Sequence, residues 1–195
     1  MTSIIKYLPN GLTITRILLT PVCIYLFTIG EDPVWAFVIF LIASITDAFD
    51  GYYARKYKVV SRLGAFLDPL ADKIMVVSVF VCFFYLYNNI VNIYILSMII
   101  FRDVFVTLIR MIMEYNRRTM ITSKVSKIKT VLQILSINLM FISIIFGGDD
   151  FMSDQSKYLF ILMIMTALVT FYTGVHYFVS NYNNLKNLFA LSEKN

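Results

Sequence analysis

The sequence predicts an all-α integral membrane protein with six transmembrane helices and a short N-terminal interfacial helix. Three observations predict it. Of the 195 residues, 59% are hydrophobic and the mean hydropathy is +0.75, too apolar for an ordinary soluble domain. The apolar residues fall into runs near the roughly 20 residues that a membrane-crossing helix needs, with short polar breaks between them. The alternating ten-residue pattern of a membrane barrel is absent, which leaves helices as the spanning element.

The elements follow in order. Ser3 to Leu8 mixes apolar residues with Lys6 and suits a helix lying on the membrane surface. Pro9 and Gly11 are expected to break that helix and turn the chain into the first span. The spans are predicted at about 14–30, 34–55, 65–87, 90–115, 127–147 and 157–180. Gly30-Glu31-Asp32-Pro33, Asn88-Asn89 and Gly147-Gly148-Asp149-Asp150 mark breaks, and Asn181 to Asn184 closes the last span. Short connections imply a single domain over residues 1–195. No repeat, low-complexity segment or cleaved signal peptide is expected.

Charge sets the orientation. Arg55, Lys56, Lys58 and Arg62 fall between spans two and three, and Arg117, Arg118 and Lys124 between four and five. Lys6, Lys186 and Lys194 lie in the tails. The opposite ends carry Glu31, Asp32, Asp149, Asp150 and Asp154, with Lys157 as their one base. Basic loops stay in the cytoplasm, so both termini and the 47–72 region are expected there, in a multi-pass protein of the cell membrane. The net charge of +5 is then a one-sided field suited to anionic headgroups or substrates. No soluble basic module points to nucleic acid.

Residues 47–72 read DAFDGYYARKYKVVSRLGAFLDPLAD. Asp47 and Asp50 are three apart, and Asp68 and Asp72 four apart, so each pair shares a helical face. The intervening loop returns the chain antiparallel and lets the pairs face each other. Four carboxylates so gathered cannot all stay ionised without cations. Hard divalent ions with oxygen ligands meet that need, and a two-metal site is a familiar solution for displacement at phosphorus. Gly51 and Gly64 permit close approach of a ligand or backbone. The planar fork of Arg55 suits a pair of phosphate oxygens. Intramembrane acids can also serve as ion-pair partners or helix glue, but four at these spacings are costly to keep for packing.

Asp47-x2-Asp50-Gly51-x2-Ala54-Arg55-x8-Gly64-x3-Asp68-x3-Asp72 resembles the signature of the CDP-alcohol phosphotransferase family. The six-span layout resembles that family too, with the motif bridging spans two and three. The resemblance implies that Asp47, Asp50, Asp68 and Asp72 hold two divalent metals, Mg²⁺ or Mn²⁺, and that Asp72 is also the general base. It implies that Gly51, Ala54, Arg55, Ser61 and Gly64 line the CDP-lipid site. The family joins an alcohol to a CDP-linked lipid and releases CMP, at a site open to the cytoplasm. A homodimer is expected from the resemblance alone.

The alcohol is suggested further on. Arg102 and Asp103 lie deep in span four, and Asp103, Thr107, Arg110 and Glu114 share a face. An intramembrane arginine is a functional-site hypothesis, against the plainer reading of internal pairing with Asp103 or Glu114. Lys127 and Lys129 enter span five with Thr130 and Gln133 nearby. With Arg110, Arg117, Arg118 and Lys124 they form a cationic rim, which orientation or anionic lipid explains except at Lys129, one turn inside the helix. A phosphate on the acceptor explains that residue. The run Lys127-Ile128-Lys129-Thr130-x2-Gln133 resembles the bacterial phosphatidylglycerophosphate synthases within the family, as does Asn10-x-Leu12-Thr13-x2-Arg16. Asp103 departs from their usual Glu, and Ser126 from their usual Gly. This resemblance implies CDP-diacylglycerol and sn-glycerol 3-phosphate as substrates. It adds Asn10 and Thr13 to the CDP-lipid site and makes Arg102, Arg110, Arg118, Lys127 and Lys129 the acceptor site. Phosphatidylglycerol, inositol phosphate and serine are the family's other acceptors.

Cys23 and Cys82 fit neither a disulfide nor a metal pattern, and His176 has no second ligand beside it. Trp35, Tyr85, Tyr87, Tyr94, Tyr158 and Tyr177 are expected as interface anchors at span ends. A cation transporter is the rival from another class. Transporter sites lie near the midplane, whereas these acids sit by cytoplasmic span ends and no outward-side acids continue a path. A non-catalytic membrane scaffold predicts that loss of any one Asp hardly matters.

Overall fold

A computed structural model describes residues 2–30, 32–57, 62–116 and 124–192. Five helices run through them: α1 (Thr2–Thr28), α2 (Pro33–Tyr57), α3 (Arg62–Leu86), α4 (Ile93–Tyr115) and α5 (Lys124–Ser192). A straight helix of the 69 residues of α5 would reach about 100 Å. Yet the Ser136 and Thr166 hydroxyls, 30 residues apart, lie 2.7 Å from each other. A straight helix would separate them by about 45 Å, so α5 folds back on itself. Its two arms contain the apolar stretches Ile128–Gly147 and Ser156–Tyr182. With α1 to α4 they make six helical arms.

Local chemistry sets several boundaries. The α1 end is closed by Ile29 N–H and Gly30 N–H donating to the Tyr25 carbonyl, at 2.9 and 3.2 Å. A Cβ on Gly30 would lie 2.3 Å from the Leu26 carbonyl oxygen, so this close turn needs glycine. Asp32 Oδ1 accepts the Val34 N–H at 2.9 Å and caps α2, whose first residue is Pro33. Asn92 Oδ1 does the same for α4 through Ile95 N–H at 3.0 Å.

One expected break is absent. α1 is helical through Pro9, Asn10 and Gly11, so the break expected there does not interrupt the helix. Proline removes one backbone donor and does not by itself end a helix. The same chain keeps Pro21 inside α1 and Pro69 inside α3, as membrane helices often do.

α1 packs against α2 and α3, and α4 against α5, while α3 touches α4 and α2 touches α5. One end of the bundle is aromatic. Phe141 of the first α5 arm meets Phe27, Phe37 and Phe83 at centroid distances of 4.9, 5.2 and 5.4 Å. Those partners come from the end of α1, the start of α2 and the end of α3. Cys23 and Cys82 are buried in the same core.

The outer surface is apolar, and charged groups are buried inside. Leu18, Ile45, Phe101, Leu108, Val131, Phe146 and Leu168 face outward, while Thr13, Arg16, Arg102, Asp103, Lys129 and Gln133 are buried. Large apolar side chains on the outer surface, with charged and polar groups kept inside, are what lipid selects, and the protein is a membrane protein. Among the described residues, Ile128–Gly147 and Ser156–Tyr182 are long and apolar enough to cross a bilayer, while Thr13–Thr28, Pro33–Thr46 and Lys73–Leu86 are shorter apolar runs. Trp35, Tyr85, Tyr94 and Tyr158 are exposed, but Tyr177 is buried. Tyr177 belongs to the bundle interior and is no interface anchor.

Candidate functional site

Asp47 and Asp50 lie in the last three turns of α2, and Asp68 and Asp72 in the first three turns of α3. Residues 58–61 join the two helices. The backbone thus sets one acidic pair at the end of α2 and the other at the start of α3, on the two sides of residues 58–61. Their side chains lie outside the described ones, as do those of Asn10, Gly51, Ala54, Arg55, Gly64 and Lys127. Ser61 and Arg118 lie outside the described residues altogether. Among the described side chains, which do not include those of the four aspartates, no group of three or more His, Cys, Asp or Glu could hold a metal. The four aspartates are a donor set of hard oxygens, the chemistry that Mg²⁺ and Mn²⁺ take.

The described part of the site is a charged cluster inside the bundle. Asp103 of α4 is fully buried, and Arg102 and Lys129 are 6% and 2% exposed. Lys129 Nζ donates to Asp103 Oδ1 and, at 2.9 Å, to Gln133 Oε1. Arg102 Nη1 donates to the same Oδ1 at 3.1 Å. Gln133 Nε2 donates to Asp103 Oδ2 at 3.2 Å. Lys129 and Gln133 are one helical turn apart and so converge on a single α4 carboxylate.

Two of the predicted acceptor residues, Arg102 and Lys129, are therefore brought together through Asp103. The internal pairing weighed for Arg102 is present, and Lys129 shares it. Two cations on one carboxylate leave a net positive charge where an unmatched charge is costly. Lys73, next to Asp72 on α3, is close enough to act electrostatically on both Asp103 and Lys129. The cluster thus borders the helix that carries Asp68 and Asp72. Arg110 is half-buried two turns further along α4. Thr13 is buried on α1, in line with Arg16 and Thr20, whose hydroxyl donates to Met75 Sδ of α3 at 3.5 Å.

The second α5 arm contributes a polar face that the sequence reading passed over. Thr166, Thr170, Thr173, Tyr177 and Asn181 are all buried there. Their spacing of three and four in an otherwise apolar run is the helical signal that marks such a face. Gly174 lies on it against Arg102.

The family model for CDP-alcohol phosphatidyltransferases matches residues 6–173, most of the chain, including α2 to α4 and α5 as far as Thr173. The chain belongs to the CDP-alcohol phosphatidyltransferase family. Membership makes it a transferase of phospholipid biosynthesis, in a family that is generally dependent on divalent metal. Similar proteins include one from Rickettsia typhi, 34% identical over 175 residues, which covers 89% of this chain and 96% of the relative. One from Bacillus subtilis is 28% identical over 193 residues, covering 92% and 97%. One from Cereibacter sphaeroides is 37% identical over 140 residues, covering 69% and 63%. Each is named CDP-diacylglycerol–glycerol-3-phosphate 3-phosphatidyltransferase.

Proposed function

We propose that this CDP-alcohol phosphatidyltransferase condenses CDP-diacylglycerol with sn-glycerol 3-phosphate, giving phosphatidylglycerophosphate and CMP. The observation that carries the acceptor is the buried Arg102–Asp103–Lys129 cluster beside Lys73. Its surplus positive charge suits an acceptor that already bears a phosphate. The names of the similar proteins agree with that reading. The single domain works as six membrane spans with both termini and the site on the cytoplasmic side, and as a homodimer.

In this reading Arg102, Arg110, Arg118, Lys127 and Lys129 bind the acceptor phosphate. Asn10, Thr13, Gly51, Ala54, Arg55, Ser61 and Gly64 line the CDP-lipid site. Asp47, Asp50, Asp68 and Asp72 hold Mg²⁺ or Mn²⁺, which when bound supplies positive charge to the diphosphate. Asp72 takes the proton from the primary hydroxyl of the acceptor. That oxygen bonds to the phosphorus carrying the diacylglycerol. The bond from this phosphorus to the bridging oxygen breaks, and CMP leaves with the electron pair. Lys129 and Arg102, held by Asp103, orient the acceptor so that its hydroxyl meets the phosphorus.

The test is CMP release by purified protein given CDP-diacylglycerol, Mg²⁺ or Mn²⁺ and one acceptor at a time. Release with sn-glycerol 3-phosphate, well above that with phosphatidylglycerol, inositol phosphate or serine, is the expected result. A higher rate with one of the other three reassigns the acceptor. Ion flux without CMP would make the protein a transporter.

A further inference from the structure

Gly174 lies on the second arm of α5, against α4. A Cβ there would sit 2.7 Å from Arg102 Cγ and 3.7 Å from both Arg102 Cβ and Nε. Cγ is close to the root of the side chain, and the far end is held by Asp103 at 3.1 Å. Arg102 therefore cannot yield to a methyl group without swinging its guanidinium off Asp103.

Two buried polar atoms border this position. Arg102 Nε has no hydrogen-bond partner among the described residues, and neither has Thr170 Oγ1. Thr170 is one turn before Gly174 on the same face and has no exposed surface. Its behaviour departs from that of other helical threonines here. Thr20, Thr28, Thr166 and Thr173 all donate to a carbonyl three or four residues earlier. Buried donors are normally satisfied, so two bare ones, Arg102 Nε against Gly174 and Thr170 Oγ1 one turn before it, point to a missing acceptor. The local charge specifies an anion, since Arg102 and Lys129 share one carboxylate.

We propose that Gly174 determines specificity for the acceptor: its missing side chain lets Arg102 cross the second α5 arm, so that Arg102 Nε and the Thr170 hydroxyl together donate to an oxygen of a phosphate monoester. This rests on the reading of the Arg102–Lys129 cluster as the acceptor site. It adds a second arm to that site and assigns Gly174 and Thr170 to it.

The experiment uses the full-length protein in detergent with CDP-diacylglycerol. Thr170→Val keeps volume and removes the hydroxyl; Thr170→Ser restores it; Gly174→Ala moves Arg102. Expected are a rise of about tenfold in KM for sn-glycerol 3-phosphate with Gly174→Ala and about fivefold with Thr170→Val, the size of one charge-assisted or neutral hydrogen bond. Preference over unphosphorylated glycerol falls by similar factors, while KM for CDP-diacylglycerol changes less than twofold. The thermal shift given by sn-glycerol 3-phosphate alone shrinks in both variants and returns in Thr170→Ser. Unchanged KM for sn-glycerol 3-phosphate in Thr170→Val, or equal rises for both substrates, overturns the proposal while the wild-type reaction stands. Wild-type protein that releases no CMP with sn-glycerol 3-phosphate overturns the reading beneath it. Thr170→Val alone decides the matter if Gly174→Ala does not fold.

Discussion

Lys129 and Asp103 are joined inside the bundle, 26 residues apart in the chain, and tie the first α5 arm to α4. Removing the carboxylate strands two buried cations. Asp103→Asn is expected to cost about 3 kcal/mol or more of stability, the usual outcome of breaking a buried ion pair from one side. Lys129→Met leaves Arg102 and Asp103 balanced and should cost clearly less. Denaturation of both variants in the same detergent checks the order; equal losses would mean that the charges are not coupled as described.

Asp72→Asn tests the base. Loss of a positioned proton acceptor is expected to cut CMP release by about 10²- to 10⁴-fold. The change is isosteric, so the unfolding midpoint should stay near wild type. A variant retaining full rate would remove Asp72 from the proton transfer.

Metal removal gives a separate result. With EDTA, CMP release should fall to background, and Mg²⁺ or Mn²⁺ should restore it. Asp47→Asn and Asp68→Asn should each raise the metal concentration needed for half-maximal rate. Activity indifferent to chelation would break the link between the aspartates and divalent cations.

The fold-back of α5 has its own test. Ser136→Cys with Thr166→Cys, in protein lacking Cys23 and Cys82, should cross-link readily under mild oxidation, because the native hydroxyls are 2.7 Å apart. Ser136→Ala alone should lower stability by about 1 kcal/mol, in the range for one interhelical hydrogen bond in a membrane. Failure to cross-link would argue against antiparallel arms.

Much of this was legible in the sequence because lipid simplifies the reading. Each predicted span falls on a helical arm, but the ends differ: α1 begins at Thr2 and not near residue 14, and α5 continues to Ser192, past the stop expected at Asn181 to Asn184. In α1, Pro9 and Gly11 look like a stop, but a single missing donor does not end a helix. The spacing of Asp47, Asp50, Asp68 and Asp72 was readable because both pairs are local along helices. The convergence of Arg102, Lys129 and Gln133 on Asp103 was not, since it depends on which faces of α4 and α5 meet. Tyr177 was misassigned for the same reason: nearness to a span end does not say which way a side chain faces. The pairing of Gly174 with Arg102 needed the second α5 arm to be laid against α4.

By sequence order the bundle has α1–α3, where α1 packs on both α2 and α3 and the last two carry the aspartate motif, and α4–α5, which carry the cationic cluster. On the proposed reading, changes in the later half retune the choice of alcohol, while Lys73 of α3 links the two halves at the cluster. That reading predicts that chimaeras cut between α3 and α4 inherit their nucleotide-lipid from one parent and their alcohol from the other.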